Sequence, residues 1–316
     1  MKTVVPNYYK DFRCIADKCR HSCCIGWEID VDNETLSAYE KLSGNIADRL
    51  KANIGFCDGQ ACFRMDEKER CPFLNQNGLC DIISEMGQDS VPYICREHPR
   101  FYNELSFCTE LGLGLCCEEA CRIILGQKDK TVLEAIEDDD IQEKATKYEK
   151  VLLKLRSDMI NKMQNRDFSI EERLEELTYI ADIEIPYLQP KIYCELYSSL
   201  EILDSAWSEL LNEYESSDLD FSADELAEYN TVFEKLTVYF LFRHIASSSD
   251  NDDLFARICF CIFSVRFIRS LCAYMLSKNG SLTFDDICNV CRMYSSEIEY
   301  SEENTETLIN YFTPEE

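Results

Sequence analysis

The sequence predicts a mainly α protein, in which a cysteine-rich N-terminal region of short strands and loops around a metal cluster precedes an irregular helical bundle. Three observations predict it. Thirteen of the 19 cysteines lie at or before Cys121. Residues 1–125 carry 14 Lys and Arg against 20 Asp and Glu, whereas the remainder carries 18 against 40, so the acid is concentrated in the second part. Beyond residue 145 apolar residues recur at steps of three and four, the period of an amphipathic helix. We therefore expect a cysteine-rich metal-cluster domain over 1–125 and an acidic helical domain over 126–316.

At 316 residues the chain can bury a sizeable core without disulfide staples. Its net charge of −28 disfavours nucleic acid and anionic membranes as partners. The N-terminal Met-Lys-Thr-Val-Val-Pro-Asn-Tyr-Tyr lacks an apolar core of signal-peptide length. The most apolar stretch, Leu254 to Leu276, contains Arg257, Arg266 and Arg269 and reads as a buried helix, not a membrane span. A cytoplasmic, reducing location is expected, with free or metal-bound thiols in place of disulfides; the odd cysteine total agrees.

Taken in order, Trp27–Asp32 alternates apolar and polar and predicts a strand. A helix over Glu34 to Lys51, capped by Asp32 or Asn33, follows. Cys62 to Asp66 alternates again and is expected to pair with the segment ending at Cys71-Pro72. Asn75-Gln-Asn-Gly78 is a turn signal that places Cys71 and Cys80 on either side. Ile82 to Met86 forms one or two helical turns stopped near Gly87, and Phe101 to Gly114 is ambiguous between strand and loop. Gly126–Lys130 and the acidic run Glu137–Asp140 mark the boundary.

The helical pattern then opens with Tyr148, Leu152, Leu155, Met159 and Met163. Ser169-Ile-Glu-Glu172 is a capping box for a second helix, broken at Pro186 and Pro190. Leu196 to Tyr214 supplies a third stripe, and Ser222-Ala-Asp-Glu225 opens a fourth helix reaching Phe240. Residues 253–277 form a fifth, and Thr283-Phe-Asp-Asp286 caps a sixth. These stripes read as core, and the acidic surface as a solvated face.

Thiolates gathered from loops and turns are what an iron–sulfur cluster needs. Cys14, Cys19, Cys23 and Cys24 form a close group, with Cys71, Cys80, Cys95 and Cys117 as distant partners. Structural zinc more often shows paired Cys-x-x-Cys knuckles, but soft thiolates suit zinc as well, and spacing leaves both metals open. Cys288-Asn-Val-Cys291, Cys259 and Cys261 read as core. His21 and His98 sit beside cysteine groups, as acid–base or supporting groups or as polar loop residues; His244 is the third histidine. Dinucleotide and phosphate glycine loops and a Gly-x-Ser-x-Gly elbow do not occur.

Several extended motifs resemble the flagellin lysine N-methylases, the FliB family. They are Tyr8…Phe12-Arg-Cys14, Cys19-x-x-x-Cys23-Cys24-x-Gly26-Trp27-x-Ile29-x-Val31-Asp32, Cys71-Pro-Phe-Leu74…Gly78-Leu-Cys80, Cys95-Arg-x-x-Pro99-Arg100 and Leu115-Cys116-Cys117-Glu118-Glu119-Ala120. The resemblance spans about residues 6–125 and extends to the CxxCxxCC proteins described as zinc- or iron-chelating. The helical remainder shares only general character. Cys116 and Glu118 depart from the family's usual Ser and Pro, and Cys57, Cys62, Cys108 and Cys121 are additional.

The resemblance implies a bacterial enzyme that moves methyl groups from S-adenosylmethionine to flagellin lysines with the help of a [4Fe-4S] cluster. It implies Cys14, Cys19, Cys23, Cys24, Cys71, Cys80, Cys95 and Cys117 as the thiols from which the cluster ligands come, more than one cubane needs. An open iron site is expected to chelate the cofactor's amino and carboxylate groups, with Arg96 or Arg100 countering negative charge, and Tyr93 or Asp32 is a candidate for taking the lysine proton. The Cys-x-x-x-Cys-x-x-Cys signature of radical chemistry is missing, which points to polar methyl transfer. A metal-binding module without enzymatic activity, with the helical half as a docking surface, is the alternative.

Overall fold

The computed structural model describes residues 2–57, 59–137, 144–181, 190–217 and 223–313. It is 59% helix and 12% strand, so the class is mainly α, with short strands toward the N-terminus. Contacts divide the chain into two compact units: Arg13–Arg100, and Met1–Phe12 together with Phe101–Glu316. The division expected at 125/126 rests on composition and does not coincide with this one, because residues 113–125 pack into the helical core.

The larger unit begins with β1 (Lys2–Pro6). The Arg13–Arg100 unit follows, with α1 (Asn33–Glu40), α2 (Asn45–Asn53), β2 (Ile54–Cys57), β3 (Gln60–Phe63), α3 (Asp81–Met86) and α4 (Tyr93–Glu97). The single helix expected over Glu34–Lys51 is two, broken where Gly44 takes φ +94°. Asp32 caps α1 as expected, its carboxylate accepting from Thr35 N at 2.9 Å. Trp27–Asp32 is extended but is not a ladder strand. It joins the β3 segment through Val31 N to Ala61 O (2.7 Å) and Phe63 N to Ile29 O (2.9 Å), which buries Ile29 and Val31. The partner of β3 is β2, not the Cys71 segment; Gly59 at φ +88° takes the positive φ of the connecting turn. Gly78 at φ +76° and the Leu74–Cys80 bridge confirm the turn between Cys71 and Cys80. Phe63 and Phe73, 4.9 Å apart, centre a core of their own; fully burying such a ring stabilises by about 1.5–3 kcal/mol.

In the larger unit, β4 (Arg100–Leu105), β5 (Cys108–Leu113) and β6 (Leu133–Glu137) complete a sheet in the order β4-β5-β1-β6. The ambiguous stretch is thus two strands. The sheet forms because β1 runs parallel to β5 and antiparallel to β6. Helix α5 (Glu118–Leu125) lies between β5 and β6. Beyond them come α6 (Lys147–Met163), α7 (Ile170–Ala181), α8 (Pro190–Ser198), α9 (Ser205–Glu215), α10 (Asn230–Ile245), α11 (Asn251–Asn279), α12 (Phe284–Tyr294) and α13 (Glu302–Tyr311).

The boxes at Ser169 and Thr283 cap α7 and α12 as expected, and Thr146 with Glu149 supplies a third on α6. The Leu196–Tyr214 stripe is two helices, broken after Ser198. Pro190 is the first residue of α8, where a missing N–H costs nothing. Pro186 and Ser222 lie outside the described residues. Helix α11 is long and apolar enough to cross a membrane, but 89% of its apolar window is buried within the protein. Cys259, Cys261 and Cys291 pack in this core, with Cys288 against it.

Among the described residues, one buried carboxylate gathers several cations. Glu234, its side chain fully covered, meets Arg166 and Arg173 at 2.9 Å and Lys235 at 3.2 Å. Glu234→Gln leaves two buried cations, Arg173 and Lys235, without their partner and is expected to cost about 3–5 kcal/mol in urea unfolding. Arg122→Ala removes the exposed pair with Glu119 and should cost less than about 1 kcal/mol in the same experiment.

Candidate metal centre

Four of the eight candidate thiols come together, all in the Arg13–Arg100 unit. Cys24 sits just before the Ile25–Arg70 bridge, and Cys71 donates its N–H to Cys24 O at 2.8 Å. Cys80 is the N-cap of α3, and Cys95 lies in α4. Every pair among the four is within electrostatic reach. Cys71 feels Cys24 and Cys80; Cys80 feels Cys24; Cys95 feels Cys24, Cys71 and Cys80.

Their protonation follows from this closeness. A hydrogen bond from Cys23 draws the Cys24 thiol down to about 7 against its burial, helped by Ser22 and by the charge of Arg70. Burial, then the neighbouring thiolates, push Cys71 up to about 12 despite N–H groups of Phe73 and Leu74 aimed at its sulfur. Burial also raises Cys80, whose sulfur receives the N–H groups of Ile83 and Ile82, and raises Cys95. One of the four is a ready thiolate; the others need a cation before they ionise. A bound metal reverses that penalty and deprotonates coordinating thiols outright.

The donor set fits an iron–sulfur cluster. Four cysteine sulfurs converge from turns and helix starts, and backbone N–H groups point at two of them, which is how proteins tune such clusters. Their spacing bears on the metal. Among the described residues, the one group of three or more possible donors with atoms within 4.8 Å of one another is Glu28, Cys57 and Cys62. The four sulfurs are therefore spread more widely than on a single tetrahedral zinc, where Zn–S bonds of about 2.3 Å set them about 3.8 Å apart.

The other candidates lie elsewhere. Cys14 is exposed, its sulfur accepting from Ala16 N at 3.4 Å; the Cys19 thiol donates to His21 O at 3.2 Å. Cys23 is exposed and serves Cys24. Cys117 belongs to the larger unit, where it is the N-cap of α5. The expectation of free thiols throughout meets one exception: Cys57 and Cys62 are joined in a disulfide across the β2–β3 hairpin.

Asp32 is committed to donors. Its burial works against ionisation, but Tyr93 N, Thr35 N and Thr35 Oγ1 hold it below the usual carboxylate range. Arg100 donates to the carbonyls of Arg96 (3.3 Å) and Glu97 (3.4 Å) at the end of α4. Arg96 pairs with Glu97 at 3.6 Å and stacks 5.6 Å from the Tyr93 ring centre, and Tyr93 itself is 50% exposed. Burial, and after it Arg100, lowers His98 to about 4, so at neutral pH it is an uncharged neighbour of Trp27. Sequence reasoning missed Arg70, the cation nearest in effect to Cys24, and Tyr39, a buried phenol that feels Cys95, Cys80 and Cys71. The position of Arg70 beside Cys71 was the available signal for the first.

Fold and site together define a mainly α protein of two units, the smaller of which collects cysteine thiols in a loop-built core. Comparison with known proteins narrows the class. Residues 177–316 match the family model described as the FliB lysine N-methylase C-terminal domain. A lysine-N-methylase of Salmonella choleraesuis (strain SC-B67) is 25% identical over 139 residues, 40% of this chain and 33% of the relative. The flagellar biosynthetic protein FliU of Salmonella muenchen is 25% identical over 134 residues, 40% of this chain and 79% of the relative. A lysine-N-methylase of Salmonella typhimurium (strain LT2) is 25% identical over 136 residues, with the same 40% and 33% shares. These matches support the FliB family for this chain. The chain spans about a third of the length of the lysine-N-methylases it matches, and no solved structure matches it. The family match lies in the helical part, which the motifs alone tied to the family only in general character.

In the metal-free chain, iodoacetamide labelling of Cys24 should reach half its plateau near pH 7, since the thiolate is the nucleophile. Cys71 should stay almost unlabelled through about pH 9, as peptide mass spectrometry can read residue by residue.

Proposed function

We propose that this protein is a protein lysine N-methyltransferase that acts on flagellin in the cytoplasm, uses S-adenosylmethionine, and depends on a [4Fe-4S] cluster held by Cys24, Cys71, Cys80 and Cys95. The mutual approach of these four thiols is the observation that carries the cluster assignment. The relatives named lysine-N-methylase carry the reaction. A bound cluster, held by Cys24, Cys71, Cys80 and Cys95, would supply a redox-capable metal centre.

What the chain's own residues contribute is clearer for the cluster than for the substrates. Cys24 enters as a thiolate, aided by Cys23 and Arg70. The N–H groups of Phe73, Leu74, Ile82 and Ile83 hold the sulfurs of Cys71 and Cys80 in place. Methylation needs the neutral lysine amine, whose ordinary pKa is about 10.4, so a group must accept a proton or exclude water. Of the two candidate acceptors, Asp32 is saturated with donors and held ionised as a helix cap. Tyr93, half exposed beside α4, is the better one. Arg96 lies beside Glu97 and the Tyr93 ring, and Arg100 beside the carbonyls that end α4; both remain candidates for countering negative charge at the site.

Anaerobically purified chain should carry about four iron and four sulfide per molecule and methylate flagellin lysines when given S-adenosylmethionine, read by intact mass. Cys24→Ala, Cys71→Ala, Cys80→Ala and Cys95→Ala should each lose the iron and cut methylation by at least about 100-fold, while Cys14→Ala keeps both. Stoichiometric zinc without sulfide, and no mass gain on flagellin, would sink the reading in favour of a non-enzymatic zinc module.

A further inference from the structure

Away from the four thiols, Glu28 lies beside the two sulfurs of the Cys57–Cys62 disulfide. Glu28 follows Trp27 on the extended segment beside β3, and Cys57 and Cys62 stand on β2 and β3. In the hairpin register Cys57 opposes Gln60 and Cys62 opposes Gly55, so the two cysteines are diagonal neighbours, with Cα atoms 6.3 Å apart. One donor atom from each of Glu28, Cys57 and Cys62 lies within 4.8 Å of the other two. All three line one open cleft of about 550 Å³ with Trp27, Phe56 and Glu69.

We propose that Cys57, Cys62 and Glu28 form a second metal site, for a single thiophilic divalent cation with zinc the best fit, and that the Cys57–Cys62 disulfide closes it. Two thiolates and a carboxylate are three ligands of a kind zinc accepts, and a water from the cleft completes a tetrahedron. In the disulfide the two sulfurs are bonded to each other; reduction frees both as ligands beside Glu28. Glu28 and Glu69 bring negative charge to the cleft, offset in part by Arg64 in the same lining.

The gate balances as follows. A dithiol reductant gives two electrons and two protons to the disulfide; the S–S bond breaks, two thiols form, and the reductant leaves as its own cyclic disulfide. Zinc then takes both sulfurs, and two protons are released as two Zn–S bonds form. A disulfide oxidant reverses this: it accepts two electrons, the S–S bond re-forms, and the ion leaves with Glu28 as its remaining protein ligand. The site draws on cysteines outside the motifs that the flagellin lysine N-methylases share with this chain, so it stands apart from the proposed methyl transfer.

The test is zinc per chain, with iron counted in parallel. Full-length protein is incubated anaerobically with zinc sulfate, with or without a phosphine reductant, desalted, and analysed by mass spectrometry of the elements. Reduced protein should hold one zinc more than disulfide-bonded protein at unchanged iron. Cys57→Ser and Cys62→Ser should each lose that zinc, and Glu28→Gln should weaken its binding at least about tenfold. Cys62 is buried, so Cys57→Ser and Glu28→Gln, at partly and fully exposed positions, carry the test if Cys62→Ser misfolds. Equal zinc in reduced and oxidised protein, or undiminished zinc in Cys57→Ser, overturns the site. Because iron is read separately, loss of the four-thiol assignment and loss of this one are distinct results.

Discussion

Four ionisable sulfurs in mutual range set the terms for the Arg13–Arg100 unit. Once Cys24 carries a negative charge, Cys71, Cys80 and Cys95 are held protonated by burial and by that charge together. A cation standing among the sulfurs would reverse that penalty. Much of the surrounding backbone is spent on holding the sulfurs: the Asn75–Gly78 turn, the Cys24–Cys71 hydrogen bond, and the starts of α3 and α4. None of these segments is long enough to be stable alone. Their order depends on one small aromatic core around Phe63 and Phe73 and, in our reading, on the metal.

The larger unit solves a different problem. Its central helices α10 and α11 are buried nearly all round, so polar side chains on them must find partners inside. Glu234 gathers three cations, and Glu299, also fully covered, meets Arg243 at 3.3 Å, His244 at 2.7 Å and Tyr239 at 2.9 Å. The Glu299 carboxyl stays low despite its burial because Arg243 and His244 face it. A single π turn, Ser295–Glu299, delivers that carboxylate between α12 and α13. Such networks fix helix register at the expense of desolvation, and replacing one partner is far costlier than replacing all.

The two thiol groups differ in what they can hold. The Cys24 set is gathered from loops and helix starts around one small core; the Cys57 set sits on one hairpin, its two sulfurs bonded to each other. A reading by cysteine count treats both alike. The fold separates them.

Local chemistry in the sequence was enough for the class, the helical periodicity of the second part, the caps at Asp32, Ser169 and Thr283, the turn at Asn75–Gly78 and the burial of α11. Each depends on residues within a few positions of one another, whose geometry the backbone dictates directly. The sequence also carried the resemblance to the FliB family and a set of eight thiols containing the four that meet. It did not separate those four from Cys14, Cys19, Cys23 and Cys117, nor break the Glu34–Lys51 helix at Gly44, nor find β1 as the strand joining β5 and β6. Those outcomes turn on contacts between distant segments, where many pairings satisfy the same pattern. Tertiary packing selected the pairing that buries Ile29, Val31 and Phe73 together, and the positions of Cys24, Cys71, Cys80 and Cys95, which pack in or against the same core, followed from that choice.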